Sequence, residues 1–122
     1  MKPPLTDEEL TNLRDRYDEE IRFTDANIST LLDALTPEQT VIALTADHGE
    51  EFLERGWLGH TRTLYDELVS VPLIFRAPGG IAGRVVEGPV SLTALGPTLL
   101  ELAGLPVTLL DATSAPLTPS IL

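Results

Sequence analysis

Apolar and charged positions alternate along the first third of the chain with the period of an α-helix. Large apolar residues recur every three or four positions through residues 10–35, with acidic and basic residues between them. Thr6 and Glu9 have the spacing of a capping box, which satisfies backbone N–H groups at a helix start. Pro37 closes the run. The pattern predicts one long helix, with a break near its middle compatible with the poor helix former Asn27.

Two short segments follow in which apolar residues are continuous. Residues 40–46 and 71–75 do not alternate in polarity, so both are predicted to be strands buried on both faces. The roughly two dozen residues between them suffice for a loop and a short helix around residues 63–69. Connections of that length join parallel strands.

The remaining sequence is less regular. Residues 84–90 are compatible with a further short strand, and Ser91 is placed to cap a helix running to residue 103, with Gly104 as its stop. Residues 108–122 are predicted to be an extended tail. The fold class is therefore α/β, with mostly parallel strands and flanking helices. So few buried strands cannot cover one another, which indicates the end of a larger sheet whose edge needs a partner.

Composition narrows the functional classes. The chain has 122 residues, 43% of them hydrophobic, and a net charge of -11. This charge argues against nucleic acid and against an anionic membrane surface as general partners. There are no cysteines, so disulfides and thiolate ligands are excluded. The most apolar long stretch, residues 90–110, contains Pro97, Glu101 and Pro106, and we predict no membrane-spanning segment.

Asp47 and His48 stand at the carboxyl end of the first predicted strand. Ligands of open α/β sheets bind outside the carboxyl ends of strands. A carboxylate and a neutral imidazole are both good ligands for a divalent cation, and Gly49 permits the turn that would let both reach one ion. The alternative interpretation is that Asp-His-Gly simply closes a strand. From these residues alone both stay open.

The second histidine of the chain, His60, follows Gly59 in a predicted loop. It is either a surface residue or a hydrogen-bond donor to an anionic substrate. Glu50, Glu51 and Glu54 lie between the two histidines. They either form hydrogen bonds to the ligands of a metal site or form a solvated face, as such acidic runs usually do.

Four stretches, in order, carry a resemblance to a known family. They are RYDEEIRFTDANISTLLDAL, TVIALTADHGEEF, GHTRTLYDELVSVPLIFRAPGG and VSLTALGPTLLELAGLP. Together they resemble the sulfatase family of the alkaline-phosphatase superfamily, over about residues 14–107. The resemblance implies a partial alkaline-phosphatase-like fold. Residues 1–107 would be a C-terminal part of a sulfatase catalytic domain.

The resemblance also implies the roles of the site residues. Asp47 and His48 match a pair of metal ligands in the family. His60 matches a position at which members place a Lys or His that contacts the sulfate and the ester oxygen. The implied substrate is a sulfate ester. The implied cofactor is a divalent metal with calcium favoured, while the imidazole ligand leaves manganese, magnesium or zinc open.

The sequence departs from the family pattern in two respects. Ala94 stands where members usually have an acidic residue, three positions before the signature Pro97. The family nucleophile, a Cys or Ser in Cys/Ser-x-Pro-x-Arg that becomes formylglycine, has no match in the chain. The resemblance therefore implies a fragment that is inactive by itself. It would need a missing N-terminal half, or an oligomer partner, to cover its sheet.

Two other functions remain alternatives. A phosphodiesterase, phosphonate hydrolase or phosphotransferase of the same superfamily shares the Asp-His strand end, and the nucleophile segment would discriminate it. A non-catalytic remnant or interaction module belongs to a different class. Such a module would need its sheet edge paired with itself or with another protein.

Overall fold

A computed structural model describes residues 5–79, 83, 85–109 and 115–117. The chain divides into two compact units. The first comprises Met1–Leu35 and Thr45–Pro72, and the second comprises Thr36–Leu44 and Leu73–Leu122. Both units are therefore discontinuous in sequence. Within the described ranges no helix is long and apolar enough to cross a membrane.

Helix α1 spans Asp7–Asp33 and confirms the predicted long helix. Its capping box is formed: the Thr6 hydroxyl accepts from the Glu9 N–H at 3.2 Å, and the Glu9 carboxylate accepts from the Thr6 N–H at 2.8 Å. The hydrogen bond from the Thr6 backbone N–H and, to a smaller extent, the one from the Thr6 hydroxyl lower the pKa of the Glu9 carboxyl. The helix continues through Asn27, whose side-chain amide donates to the Phe23 carbonyl at 2.7 Å. That bond satisfies the polar side chain inside the helix, and no break forms.

The rest of the first unit is a small hairpin and a single helical turn. Strands β2 (Glu51–Phe52) and β3 (Leu58–Gly59) pair antiparallel, with Glu51 opposite Gly59. Helix α2 is Asp66–Val69, shorter than the predicted 63–69. The hairpin was not anticipated, because two-residue strands leave no periodic pattern in the sequence.

In the second unit, β1 (Ile42–Thr45) pairs with β4 (Leu73–Arg76) in a two-stranded sheet. Both strands fall at the predicted segments. β4 begins two residues later than expected, immediately after Pro72, which has no N–H to donate to a ladder. A 3-10 turn at Leu92–Ala94 leads into helix α3, Leu95–Leu102.

The ends of the predicted second-unit helix agree with the sequence signals. The Ser91 hydroxyl accepts from the Thr93 N–H at 3.3 Å, and Gly104 has the left-handed φ of 70° typical of a helix stop. Buried Thr98 fastens the helix: its hydroxyl donates to the Ala94 carbonyl at 2.6 Å and accepts from the Leu117 N–H at 2.9 Å. The unit thus has a satisfied polar contact at its centre.

Two expectations require correction. Helices and strands are both present, so the α/β class stands, but mostly parallel strands are not confirmed, since β2 and β3 run antiparallel. The strand predicted at 84–90 is not formed by its described residues, 85–90. Val85 is 87% exposed, Gly88 has a φ of 101° and Pro89 lacks an N–H, so this segment cannot sustain a ladder. Of the tail, residues 107–109 form a 3-10 turn and 115–117 are irregular; the rest lies outside the described residues.

Candidate functional site

The Asp47-His48-Gly49 segment follows β1 directly and is fixed to α2. The Gly49 N–H donates to the Leu68 carbonyl at 2.8 Å. A Cβ atom on Gly49 would lie 2.1 Å from the Glu67 carbonyl oxygen. Glycine is therefore required here because two backbones approach closely, a different reason from the turn expected from the sequence.

Local hydrogen bonds orient the side chains of Asp47 and His48. Asp47 Oδ1 accepts from the His48 N–H at 3.0 Å and lies 3.9 Å from His48 Nε2. His48 Nδ1 lies 2.7 Å from the Gly49 carbonyl oxygen. A carbonyl can only accept, so Nδ1 carries the hydrogen, and in the neutral ring Nε2 keeps its lone pair. The imidazole therefore presents its ligating nitrogen on the same side as the carboxylate oxygen.

This pair suits a divalent cation. Oxygen and nitrogen ligands lie about 2.0–2.6 Å from such ions. Two donors of one ion must then be within about 5 Å of each other, and the Oδ1–Nε2 separation of 3.9 Å satisfies that limit. The Asp47 side chain is 90% exposed, so its carboxylate is open to further ligands. Asp47 and His48 thus fit the role of two ligands in a larger coordination set.

The hairpin brings His60 to the same place. Gly59, with a φ of 98°, turns the chain at the end of β3. His60 Nδ1 then lies 2.9 Å from Glu50 Oε2, and its ring stacks on that of His48 with centroids 4.0 Å apart. A carboxylate accepts, so His60 Nδ1 donates and its Nε2 is left for other contacts. The rings of the two histidines of the sequence are therefore in contact.

The acidic run between the histidines is not a uniform solvated face, and that interpretation is wrong for Glu51. This side chain is only 1% exposed, and its Oε2 accepts from the Thr63 hydroxyl at 2.7 Å. Its Oε1 has no hydrogen-bond partner within the described part of the chain. Glu50 faces His60 instead, because neighbouring residues of an extended segment point to opposite sides.

Glu54 connects the hairpin to α1 through an ion pair with Arg14. Its Oε1 lies 3.0 Å from an Arg14 guanidinium nitrogen, which also donates to the Phe52 carbonyl at 3.2 Å. Burial alone would raise the pKa of Glu54. The backbone N–H groups of Glu54 and Phe52 and the Arg14 charge outweigh it and lower the pKa. Tyr17 adds an edge-on contact with Phe52, with ring centroids 5.3 Å apart.

Comparison with known proteins defines the class. The family model described as Sulfatase matches residues 2–105, and the chain belongs to the sulfatase family. The resemblance predicted from the four sequence stretches is thereby confirmed.

Individual relatives agree with that assignment. An uncharacterized sulfatase of Escherichia coli, YidJ, is 39% identical over 66% of this chain and 17% of its own length. Arylsulfatase K of Danio rerio is 34% identical over 85% of the chain and 20% of its own length. Arylsulfatase K of Homo sapiens is 32% identical over 84% of the chain and 20% of its own length. The chain thus spans about a fifth of the length of these relatives. No solved structure matches it.

Proposed function

We propose that the chain forms one side of the active site of a metal-dependent sulfatase that hydrolyses sulfate esters. The observation that carries this proposal is the pairing of Asp47 Oδ1 and His48 Nε2, 3.9 Å apart after β1, in a chain of the sulfatase family. His60, stacked on His48, adds a polar group beside the pair. The three residues would therefore act on one substrate group.

Asp47 and His48 would hold the cation. When bound, a divalent cation supplies positive charge to sulfate oxygens and to the nucleophile. The carboxylate favours calcium, and the imidazole is compatible with manganese, magnesium or zinc. Hard cations such as calcium take six or more ligands, so two protein ligands on an open site would bind one weakly. We infer that the remaining ligands come from another part of a sulfatase domain.

His60 would act on the leaving oxygen of the ester. Its Nδ1 is engaged with Glu50 at 2.9 Å, so Nε2 is the atom available to a substrate. Because Nδ1 also carries a hydrogen, this role requires the imidazolium form of the ring, whose Nε2–H would stabilise the negative charge that grows on the leaving oxygen. Glu50 touches no substrate in this scheme. It positions the His60 ring and holds the hydrogen on Nδ1.

We further infer that residues 1–107 are the C-terminal part of an alkaline-phosphatase-like catalytic domain, followed by the tail at 108–122. In that domain β1 and β4 would belong to a mostly parallel sheet. The sheet would be covered by an N-terminal half or by an oligomer partner. The support is physical: β1 and β4 form a sheet of only two strands in the described residues, and such a sheet is not stable by itself.

The 122 residues alone are predicted to show no turnover of aryl sulfates, because they supply two metal ligands and no nucleophile motif. The coding DNA upstream of Met1 should be read first. An in-frame Cys/Ser-x-Pro-x-Arg, with an early Asp-Asp pair, would support the sulfatase. The full reading frame would then be expressed and assayed on an aryl sulfate and on an aryl phosphodiester.

We expect metal-dependent sulfate release that falls at least about 100-fold in His60→Ala, as for the loss of one preorganised donor. Glu19→Gln, on the exposed surface of α1, is the matched control and should retain full activity. Preference for the phosphodiester would favour the phosphoryl-transfer alternative. A stop codon directly before Met1, with no activity on either substrate, would favour the third alternative, a non-catalytic remnant or interaction module.

A further inference from the structure

We propose that His48, Glu50 and His60 form a second, zinc-type cation site that overlaps the Asp47–His48 pair. One donor atom from each of the three residues lies within 4.8 Å of the others. The two imidazole rings are stacked at 4.0 Å with an interplanar angle of 23°. Glu50 Oε2 is already 2.9 Å from His60 Nδ1. Three nitrogen and oxygen donors therefore converge on one small volume.

The hairpin register explains this convergence. Glu51 pairs with Gly59 in the β2–β3 ladder. The next residues outward, Glu50 and His60, must then lie opposite each other at the open end of the hairpin. His48 is held there by the Gly49–Leu68 backbone hydrogen bond. The site is built from backbone constraints and does not depend on long flexible side chains.

The donor set selects the metal. Two histidines and one glutamate are a ligand set that zinc uses in tetrahedral sites with one position open to water. Tetrahedral ligands at about 2.0–2.1 Å lie about 3.4 Å apart. The Glu50–His60 pair, now at 2.9 Å, would therefore open slightly, and the wider separations, which are within 4.8 Å, would close by about 1.4 Å at most. Calcium and magnesium prefer oxygen ligands, which favours the Asp47 carboxylate for them. The two sites thus differ in metal class.

Sharing His48 makes the two sites mutually exclusive. One imidazole nitrogen cannot ligate two cations at once. Zinc between Glu50 and His60 would also occupy the atoms that now share a hydrogen bond. Zinc binding itself requires no sulfatase activity, since all three ligands belong to this chain.

The test is calorimetric titration of the full 122-residue chain with zinc chloride. We expect one zinc per chain. His60→Gln and Glu50→Gln should each weaken binding by about tenfold or more, because each removes a ligand. Glu19→Gln, on the exposed surface of α1, is the matched control and should change zinc affinity by less than about twofold. Asp47→Asn should weaken zinc binding less than either ligand variant does. Far-UV circular dichroism verifies that all variants keep their helix. Cobalt in place of zinc should give the intense visible absorption of a tetrahedral site, lost in His60→Gln.

Three results would overturn the proposal: no binding up to millimolar zinc, unchanged affinity in both His60→Gln and Glu50→Gln, or an equal loss in Asp47→Asn. The last would show that zinc uses the Asp47–His48 pair. These outcomes are separate from those of the sulfatase assay. A full reading frame without sulfatase activity would leave the zinc titration of this chain unaffected.

Discussion

Helix α1 and the site segment at residues 47–69 are of similar length but are built in opposite ways. α1 has 27 residues with a complete capping box, and none of these described residues is buried. The site segment contains only two-residue strands and a four-residue helix. Yet it holds buried Leu68 and buried Glu51. In the first unit the longest regular element therefore has no buried residue, whereas the short elements β2 and α2 each hold one.

The difference shows what stabilises each region. In most proteins helices gain their stability from packing an apolar face. Here the apolar stripe of α1 includes Ile21 and Leu31, which are 53% and 61% exposed, and Phe23, on another face of the helix, is 67% exposed. The site segment relies on specific backbone and polar contacts. Substitutions at single contacts should therefore be more damaging in the site segment than on the stripe of α1.

Gly49→Ala should have the largest effect on stability. Its Cβ would lie 2.1 Å from the Glu67 carbonyl oxygen, and both groups are backbone or directly attached to it. The loop would have to move away from α2. We expect a loss of about 2–3 kcal/mol in the free energy of unfolding, as for overpacking of a rigid site. Urea denaturation followed by circular dichroism measures it.

The matched control is Gly83→Ala. A Cβ at Gly83 meets no atom of the residues that the structure describes within 4 Å, so the free energy of unfolding should stay within about 0.5 kcal/mol of wild type. If both alanine variants were equally stable, the close approach of the Gly49 loop to α2 would be contradicted. The site segment would then be no more constrained than an exposed loop.

Thr63→Val should have an intermediate effect. It keeps the shape of the side chain but removes the hydroxyl that donates to buried Glu51. Neither carboxylate oxygen would then have a partner among the described residues, since Oε1 already lacks one. The expected loss is about 1–3 kcal/mol. Thr61→Val, at an exposed position two residues earlier, should change unfolding by less than about 0.5 kcal/mol in the same urea assay.

The sequence predicted α1, β1 and β4 because each has a local signal. A capping box with helical periodicity, or a continuous apolar run, can be recognised without knowing what packs against it. The helix at α3 was equally visible, through the cap at Ser91 and the stop at Gly104. All of these features reflect interactions between residues that are close in the chain.

The site was predictable only in part. Asp47, His48 and His60 were singled out by residue type and by the strand end, but the contact between His48 and His60 depends on the hairpin. That hairpin rests on two ladder pairs and on Gly59, too little to produce a periodic pattern. For the same reason the sequence does not distinguish Glu50 from Glu51 within the acidic run. The register of the hairpin shows that the two side chains have different surroundings, because adjacent residues of a strand face opposite sides.

The smallest effect is expected on helix α1, where Phe23→Ser and Tyr17→Ser form a matched pair. Tyr and Phe have similar helix propensities, so the cost to the helix itself is nearly equal. Tyr17 packs edge-on against Phe52, and its loss should cost about 0.5–1.5 kcal/mol. Phe23 is 67% exposed, and its replacement should change unfolding by less than about 0.5 kcal/mol. Urea denaturation at two protein concentrations measures both. If Phe23→Ser were as damaging as Tyr17→Ser and the midpoint of unfolding rose with protein concentration, a second copy of the chain would cover Phe23 in solution. The contrast between α1 and the site segment would then hold for the single chain only.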